Sequence, residues 1–240
     1  MSNSIHCQDV LVDSCSETFS LFRGSKVLVD VDDHVLAELA SHAKFEHYRI
    51  PTLLNTANHE LTHLRFVIEG QIELVGRNVD GDEACIAVLG PANWVTWLGC
   101  FDLRPPQYDF YSSANCKVMA IPCKKVREIA NANPELYRIA INAISDRFRL
   151  LMEWTTDSAL LEHEKRIAKL LLLVSRLNNE HDIAHPAIYY TQDRLAVLSR
   201  CTRQTLSRSL KLLEQQALIK VGYKRIDIID LEGLESFTYR

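Results

Sequence analysis

"TQDRLAVLSRCTRQTLSRSLKLLEQQALI", Thr191 to Ile219, is the stretch from which the rest of the chain is best read. Thr191 suits the N-cap of a short helix whose inward face is Leu195, Ala196 and Leu198. "SRC" breaks that helix, and Thr202 suits the N-cap of a second one with Leu206, Leu210 and Leu213 inside. Ala196 is small enough for the two helices to cross closely. The pattern is a helix-turn-helix, and its second helix leaves Arg203, Gln204, Ser207 and Arg208 on the outer face.

Those side chains suit base recognition for a chemical reason. An arginine donates two hydrogen bonds to guanine O6 and N7, and a glutamine pairs with adenine N6 and N7, when both project from the first turns of a helix in the major groove. Thr191, Thr202 and Thr205, with the backbone N–H groups at the helix starts, suit phosphate contacts. Downstream, "ALIKVGYKRIDIIDLEGL" reads as two strands, Leu218 to Val221 and Arg225 to Ile229, around a turn at Gly222 to Lys224. Lys220, Lys224 and Arg225 sit near its tip, as the phosphate-touching wing of a winged helix would require.

Charge supports a polyanion-binding end. The chain of 240 residues has net charge −4, yet residues 186–226 carry 8 basic and 2 acidic side chains while residues 1–160 have net charge −7. A basic segment on an acidic body points to one surface for nucleic acid. The length fits two domains, and an apolar fraction of 47% with 24% charged residues is ordinary globular composition. No run is long and apolar enough to span a membrane, and the first 20 residues lack a signal-peptide pattern, so a cytoplasmic location is expected with no membrane partner. Seven cysteines, at 7, 15, 85, 100, 116, 123 and 201, contain no C-x-x-C pair and read as reduced thiols, many of them core residues.

Upstream, the chain from about Ile50 to Pro122 reads as short strands. Leu64, Phe66 and Ile68 alternate with Arg65, Val67 and Glu69; after Gly70 the alternation resumes at Ile72 and Leu74. Ala84 to Leu89, Tyr108 to Ser112 and Lys117 to Ile121 are further strands, and their number and spacing predict a β-sandwich or barrel. Lys124 to Ala132 is a short helix, and Pro134 opens a long one. Along it Tyr137, Ile141, Ile144, Phe148, Leu151, Thr155 and Ser158 step by four and three. Such a stripe packs either on its own β-domain or on the same helix of a second subunit, and its length favours pairing. Glu164 to Asn178 is another amphipathic helix, "NNEHDIAHP" a loop, and a domain boundary is expected near Leu160 to Glu164.

"CTRQTLSRSLKLLEQQALIKVGYKRIDIIDLEGL", residues 201–234, resembles the C-terminal module of the cyclic-AMP receptor protein and fumarate-nitrate regulator (Crp/Fnr) family of bacterial transcription factors. The order of parts is similar over nearly the whole chain, and "RFVIEGQIEL" (65–74) carries the likeness in the β-domain. The resemblance implies an α+β fold: a cyclic-nucleotide-binding-like β jelly roll (1–132), a long dimerisation helix (133–163) and a winged helix-turn-helix DNA-binding domain (164–240). It implies a homodimer on near-palindromic double-stranded DNA, Arg203, Gln204 and Arg208 as base readers, RNA polymerase as a partner, and no enzymatic activity. Two departures bear on DNA binding. Arg200 stands where the family usually has a turn glycine, which predicts a slightly different turn, since a side chain costs about 1 kcal/mol in a left-handed conformation. Gln204 stands where many cyclic-AMP binders have Glu, which predicts a different operator.

Cyclic-AMP-binding members also carry Gly-Glu-Leu and, further on, Arg-Ser, whose Glu holds the ribose and whose Arg holds the cyclic phosphate. In the matching stretch, "NWVTWLGCFDLRPPQYDFYSS", Thr96 and Trp97 replace Gly-Glu, and Gln107 and Tyr108 replace Arg-Ser. A phosphate would be buried without its cation, which argues against cyclic AMP in the usual mode. Trp94, Trp97, Phe101 and Tyr108, with Phe110 and Tyr111 nearby, either line an apolar pocket for another small-molecule effector, with Arg104 as its polar handle, or fill a disused one. Clustered thiolates for an iron–sulfur centre are missing; a haem, which needs a single His or Cys, stays open.

Two other functions are open to test. "NHELTH", residues 58–63, matches the H-E-x-x-H pattern of zinc hydrolases, with His59 and His63 as ligands, Glu60 as base and Glu83 as a distant third ligand. That pattern needs a helix, whereas Asn58 reads as a turn residue running into a strand, so no metal site is expected. The remaining alternative is a module whose winged helix binds another protein.

Overall fold

The computed structural model describes residues 16–178, 186–223 and 225–239. A helix over residues 16–23 (α1) and α2 (Asp33–Ser41) lead into β1 (Lys44–Tyr48), β2 (Thr52–Asn55), β3 (His63–Glu69), β4 (Ile72–Arg77), β5 (Glu83–Leu89) and β6 (Trp94–Val95). A short helix, α3 (Trp97–Asp102), precedes β7 (Asp109–Ser112) and β8 (Cys116–Pro122). The strands form two antiparallel four-stranded sheets, ordered β1-β8-β3-β6 and β2-β7-β4-β5, the jelly roll expected from the spacing of short strands. Gly70 makes the β3–β4 turn possible: its φ is +78°, and a Cβ there would lie 2.8 Å from the Cys116 Cα.

Period-two alternation in β3 separates two cores. Leu64 and Phe66 pack under helices α1, α2 and α4 (Cys123–Ala132), whereas Val67 joins Ile72, Phe110 and Val118 between the sheets. The first sheet is therefore covered on both faces, and even Arg65 is buried, its Nε 3.7 Å from a Glu46 carboxylate oxygen. Cys100, Cys116 and Cys123 are wholly buried and Cys85 and Cys201 half-buried, all without disulfides; Cys7 and Cys15 lie outside the described residues.

The long helix α5 (Glu135–Leu160) follows Pro134. Its first turns, Leu136, Ile139 and Ala140, pack into the sensor core, and Tyr137 meets Phe101 edge-on at 5.2 Å. Further along, Ile141 and Phe148 are each 61% exposed and Leu151 51% exposed, so the expected stripe serves its own β-domain at one end and lies open at the other.

A second core holds the C-terminal part, assembled from α6 (His163–Asn178), β9 (Ala187–Ile188), α7 (Gln192–Leu198), α8 (Arg203–Gln215), β10 (Ile219–Gly222), β11 (Arg225–Ile228) and α9 (Leu231–Tyr239). The three strands make one antiparallel sheet, β10-β11-β9. Most of the "NNEHDIAHP" loop lies outside the described residues. No helix among the described residues is long and apolar enough to cross a membrane.

Candidate nucleic-acid interface and effector cavity

Both helices of the helix-turn-helix start as their sequences dictate. The Thr191 side chain accepts from Arg194 N at 3.3 Å, and the Thr202 side chain accepts from Thr205 N at 3.2 Å. Each threonine satisfies one of the N–H groups that a helix start leaves unpaired. Leu195, Ala196, Leu206, Leu210 and Leu213 are buried, which fixes the outer face of α8. On it Arg203, Gln204 and Arg208 are exposed, with Ser207 and Thr205 half-buried beside them. Arg203 Nε lies 3.5 Å from Asp193 Oδ1, a contact between two exposed groups that leaves the guanidinium at the surface.

The turn keeps its left-handed geometry without a glycine: Arg200 has φ 52°. The altered turn expected from its Cβ is therefore not found. Buried Ser199 anchors the turn by donating to Leu195 O at 2.7 Å. At the wing, Gly222 pairs with Arg225 across β10 and β11, and Tyr223 stands 90% exposed at the tip. Arg225 is turned along its own strand by Asp227, 2.6 Å away, and covers the Tyr189 ring. Lys224 lies outside the described residues. Tyr223 had no place in the sequence reading, because a turn tyrosine carries no periodic signal.

A cavity of ≈ 330 Å³ opens between the sheets, α3 and α5. Its walls are mainly apolar, from Leu61, Leu74, Leu89, Val95 and Phe110 on the jelly roll and Ile144, Phe148 and Leu151 on α5. Of the expected pocket residues, Trp97, Arg104 and Tyr108 line it. Trp94 and Phe101 do not: Trp94 is 1% exposed, packs against Phe22 and Phe66 and donates to Ser25 Oγ at 2.9 Å, while Phe101 stacks behind Trp97. Their apolar surface is spent on the core beneath the cavity. Trp97 is 5% exposed, and its indole N–H is buried without a hydrogen-bond partner among the described residues. Burial pushes the Tyr108 phenol up, against a smaller opposing pull from Arg147. Arg147, which sequence reasoning missed because it lies on α5, also lines the cavity and donates to Trp94 O at 2.9 Å.

Thr96 has φ 83°, a left-handed conformation rare for a β-branched residue, held as its hydroxyl donates to His63 O at 2.8 Å. The backbone thus retains a shape that suits glycine at this point, although the glycine is gone. "NHELTH" is likewise settled by its backbone. Asn58 is left-handed at φ 61° and His63 begins β3, so His59 and His63 are not one helical turn apart. Their Nδ1 atoms contact Ala57 O at 3.0 Å and Thr62 Oγ1 at 2.8 Å, and the zinc-hydrolase geometry is not formed.

Comparison with known proteins agrees with this arrangement part by part. A cyclic nucleotide-binding domain model matches residues 46–133, and a Crp-like helix-turn-helix domain model matches residues 165–237. The chain is 26% identical to the cAMP-activated global transcriptional regulator CRP of Haemophilus influenzae over 81% of this chain and 88% of that protein. It is 25% identical to the cAMP-activated regulator Vfr of Pseudomonas aeruginosa over 79% and 91% of the two chains. Among solved structures, FixK2 from Bradyrhizobium japonicum superposes with a TM-score of 0.67 at 15% identity, covering 81% of this chain and 96% of that one. The c-di-GMP responsive regulator CLP of Xanthomonas campestris superposes at 0.59 and 18% identity, covering 82% and 99%. With a jelly roll, a long helix and a capped winged helix-turn-helix in one chain, matched in the same order by both domain models, this protein belongs to the Crp/Fnr family of DNA-binding transcriptional regulators.

Proposed function

We propose that the protein acts in the cytoplasm as a homodimer on a near-palindromic operator, under control of a small molecule other than cyclic AMP. Residues 1–132 would serve as the sensor, 133–163 as the dimerisation helix and 164–240 as the DNA-binding domain. The observation that carries this reading is the exposed row Arg203, Gln204 and Arg208 on a helix whose opposite face is locked into a core. These three read base edges; Ser207 lies beside them, and Thr191, Thr202, Thr205, Lys224 and Arg225 serve the phosphates. The open stretch of α5, with Tyr137, Ile141, Ile144, Phe148 and Leu151 on its stripe, supplies the seam for a second copy. Two recognition helices then enter successive major grooves roughly 34 Å apart. RNA polymerase is the further partner expected of such a regulator.

The effector reading rests on the cavity. Its apolar walls and the buried Trp97 N–H suit a compact, largely apolar molecule that carries a hydrogen-bond acceptor, with Arg104 at hand for a charged group. Selection of bound sequences from random DNA tests the main reading: a recurring inverted repeat is expected. Enrichment of no sequence at low salt, from protein that is dimeric and folded, would leave the winged helix without its proposed role.

A further inference from the structure

The ribbon made by β4 and β5 looks at two different places. Leu74 and Leu89 line the cavity. Their chain neighbours Glu73 and Val88 are cross-strand partners, and strand alternation turns them to the opposite face. There they meet the start of the helix-turn-helix. Arg194, in the first turn of α7, donates to both Glu73 carboxylate oxygens, Nη1 to Oε1 at 2.7 Å and Nη2 to Oε2 at 2.5 Å. Val88 N donates to Tyr190 Oη at 2.7 Å, and the same hydroxyl is 3.3 Å from Val88 O. Val88 itself is 2% exposed and forms part of the core that holds the DNA-binding module.

These contacts are specific rather than general packing. A guanidinium fork on a carboxylate fixes orientation as well as distance. The Tyr190 hydroxyl answers a backbone N–H that would otherwise be buried unpaired. Both contacts join residues more than 100 positions apart across the two halves of the chain. Neither serves the hydrogen bonding of the helix-turn-helix itself.

We propose that Glu73–Arg194 and Val88–Tyr190 form a clamp that holds the DNA-binding module in its operator-competent placement, and that the β4–β5 ribbon carries the state of the cavity to that clamp. The proposal rests on the reading of the protein as an effector-controlled, operator-binding dimer. A molecule that shifts Leu74 or Leu89 shifts Glu73 and Val88 with them, because each pair shares one backbone. Close-packed elements respond by changing placement rather than by deforming smoothly. In the clamped placement the reading face of α8 and the open stripe of α5 are both exposed. Releasing the module spreads it over placements that miss the half-site spacing, and apparent affinity falls by the fraction that remains competent.

The test uses the full chain, the operator recovered by selection, and amide exchange over residues 86–89 and 190–198. Glu73→Arg is expected to speed exchange in both segments and weaken operator binding at least fivefold, although it adds positive charge that would by itself favour DNA. The double variant Glu73→Arg/Arg194→Glu, which leaves net charge unchanged, is expected to restore both readouts to within twofold. Leu74→Ala, on the cavity face, should speed exchange at 190–198 in the wild-type background and add nothing in the Glu73→Arg background. Faster exchange with operator affinity still within twofold of wild type would overturn the clamp as a control point, as would a double variant that fails to recover. An unaffected 190–198 segment in Leu74→Ala would overturn the ribbon as the route. Wild-type protein that binds no operator would defeat the regulatory reading itself, and the clamp with it, a result distinct from any of these.

Discussion

At the scale of single residues, the backbone has kept conformations that the side chains no longer advertise. Arg200 and Thr96 both hold φ angles suited to glycine, at two points where the sequence offers none. Arg200→Gly should therefore relieve about 1 kcal/mol of left-handed strain, partly offset by the greater freedom of glycine in the unfolded chain. A rise of a degree or more in Tm with unchanged operator affinity is the expected result, and a lower Tm would show that the arginine makes up its own strain. Gln204→Glu addresses base reading: glutamate accepts from cytosine N4 where glutamine pairs with adenine. Repeated selection with that variant should change the preferred base at one position of each half-site and leave the others alone. Much at this scale was legible. Asn58 was readable as a left-handed turn because asparagine tolerates that region, and the outer row on α8 followed from spacing alone. Trp94 and Phe101 were misplaced because composition cannot say on which side of a wall an aromatic ring lies; here both rings pack behind Trp97.

Elements with strong periodicity or good caps were readable nearly to the residue: α4 was expected from Lys124 and starts at Cys123, and α6 was expected from Glu164 and starts at His163. The helices α1, α2 and α9 and the two-residue strand β9 were not read, since short elements gain their stability from the cores they cover rather than from their own pattern. The same dependence makes the caps on α7 and α8 measurable. Thr202→Ala removes the acceptor for Thr205 N and should cost about 1 kcal/mol, with the loss seen as a lower urea midpoint at unchanged m-value. The α5 stripe was legible as a stripe, but not its division between a packed start and an open end, which depends on where the sensor surface stops. Phe148→Glu places a charge on the open end. Sedimentation equilibrium should show a shift from dimer to monomer, accompanied by loss of operator binding because two half-sites are no longer read together. A dimer that survives this change would mean that the second copy sits elsewhere.

At the scale of the whole molecule, two halves with separate cores are joined at the long helix by charge as well as by the ribbon. Lys169 of α6 is 6% exposed and lies between Glu153 and Asp157 of α5, with its ammonium 3.1 Å from Asp157 Oδ2 and in contact with Glu153. Their carboxylates raise the Lys169 pKa even though burial alone would lower it. Arg176, one helical face further on, reaches both Glu153 and Glu235 of α9, at 3.8 and 2.7 Å. Removing the lysine therefore does more than delete an ion pair: Lys169→Met leaves two carboxylates crowded against the helix without their main cation, a loss of the kind that costs about 3 kcal/mol when one partner of a buried pair is removed. That cost falls on the α5–α6 joint, not on either core, so the halves should lose their mutual support before they lose their own folds. Calorimetry of the wild type should then give one cooperative transition, and that of Lys169→Met two, the earlier belonging to the C-terminal module. A single transition merely shifted to lower temperature would mean that the ribbon clamp and the apolar contacts of α6 are enough to keep the halves one cooperative unit.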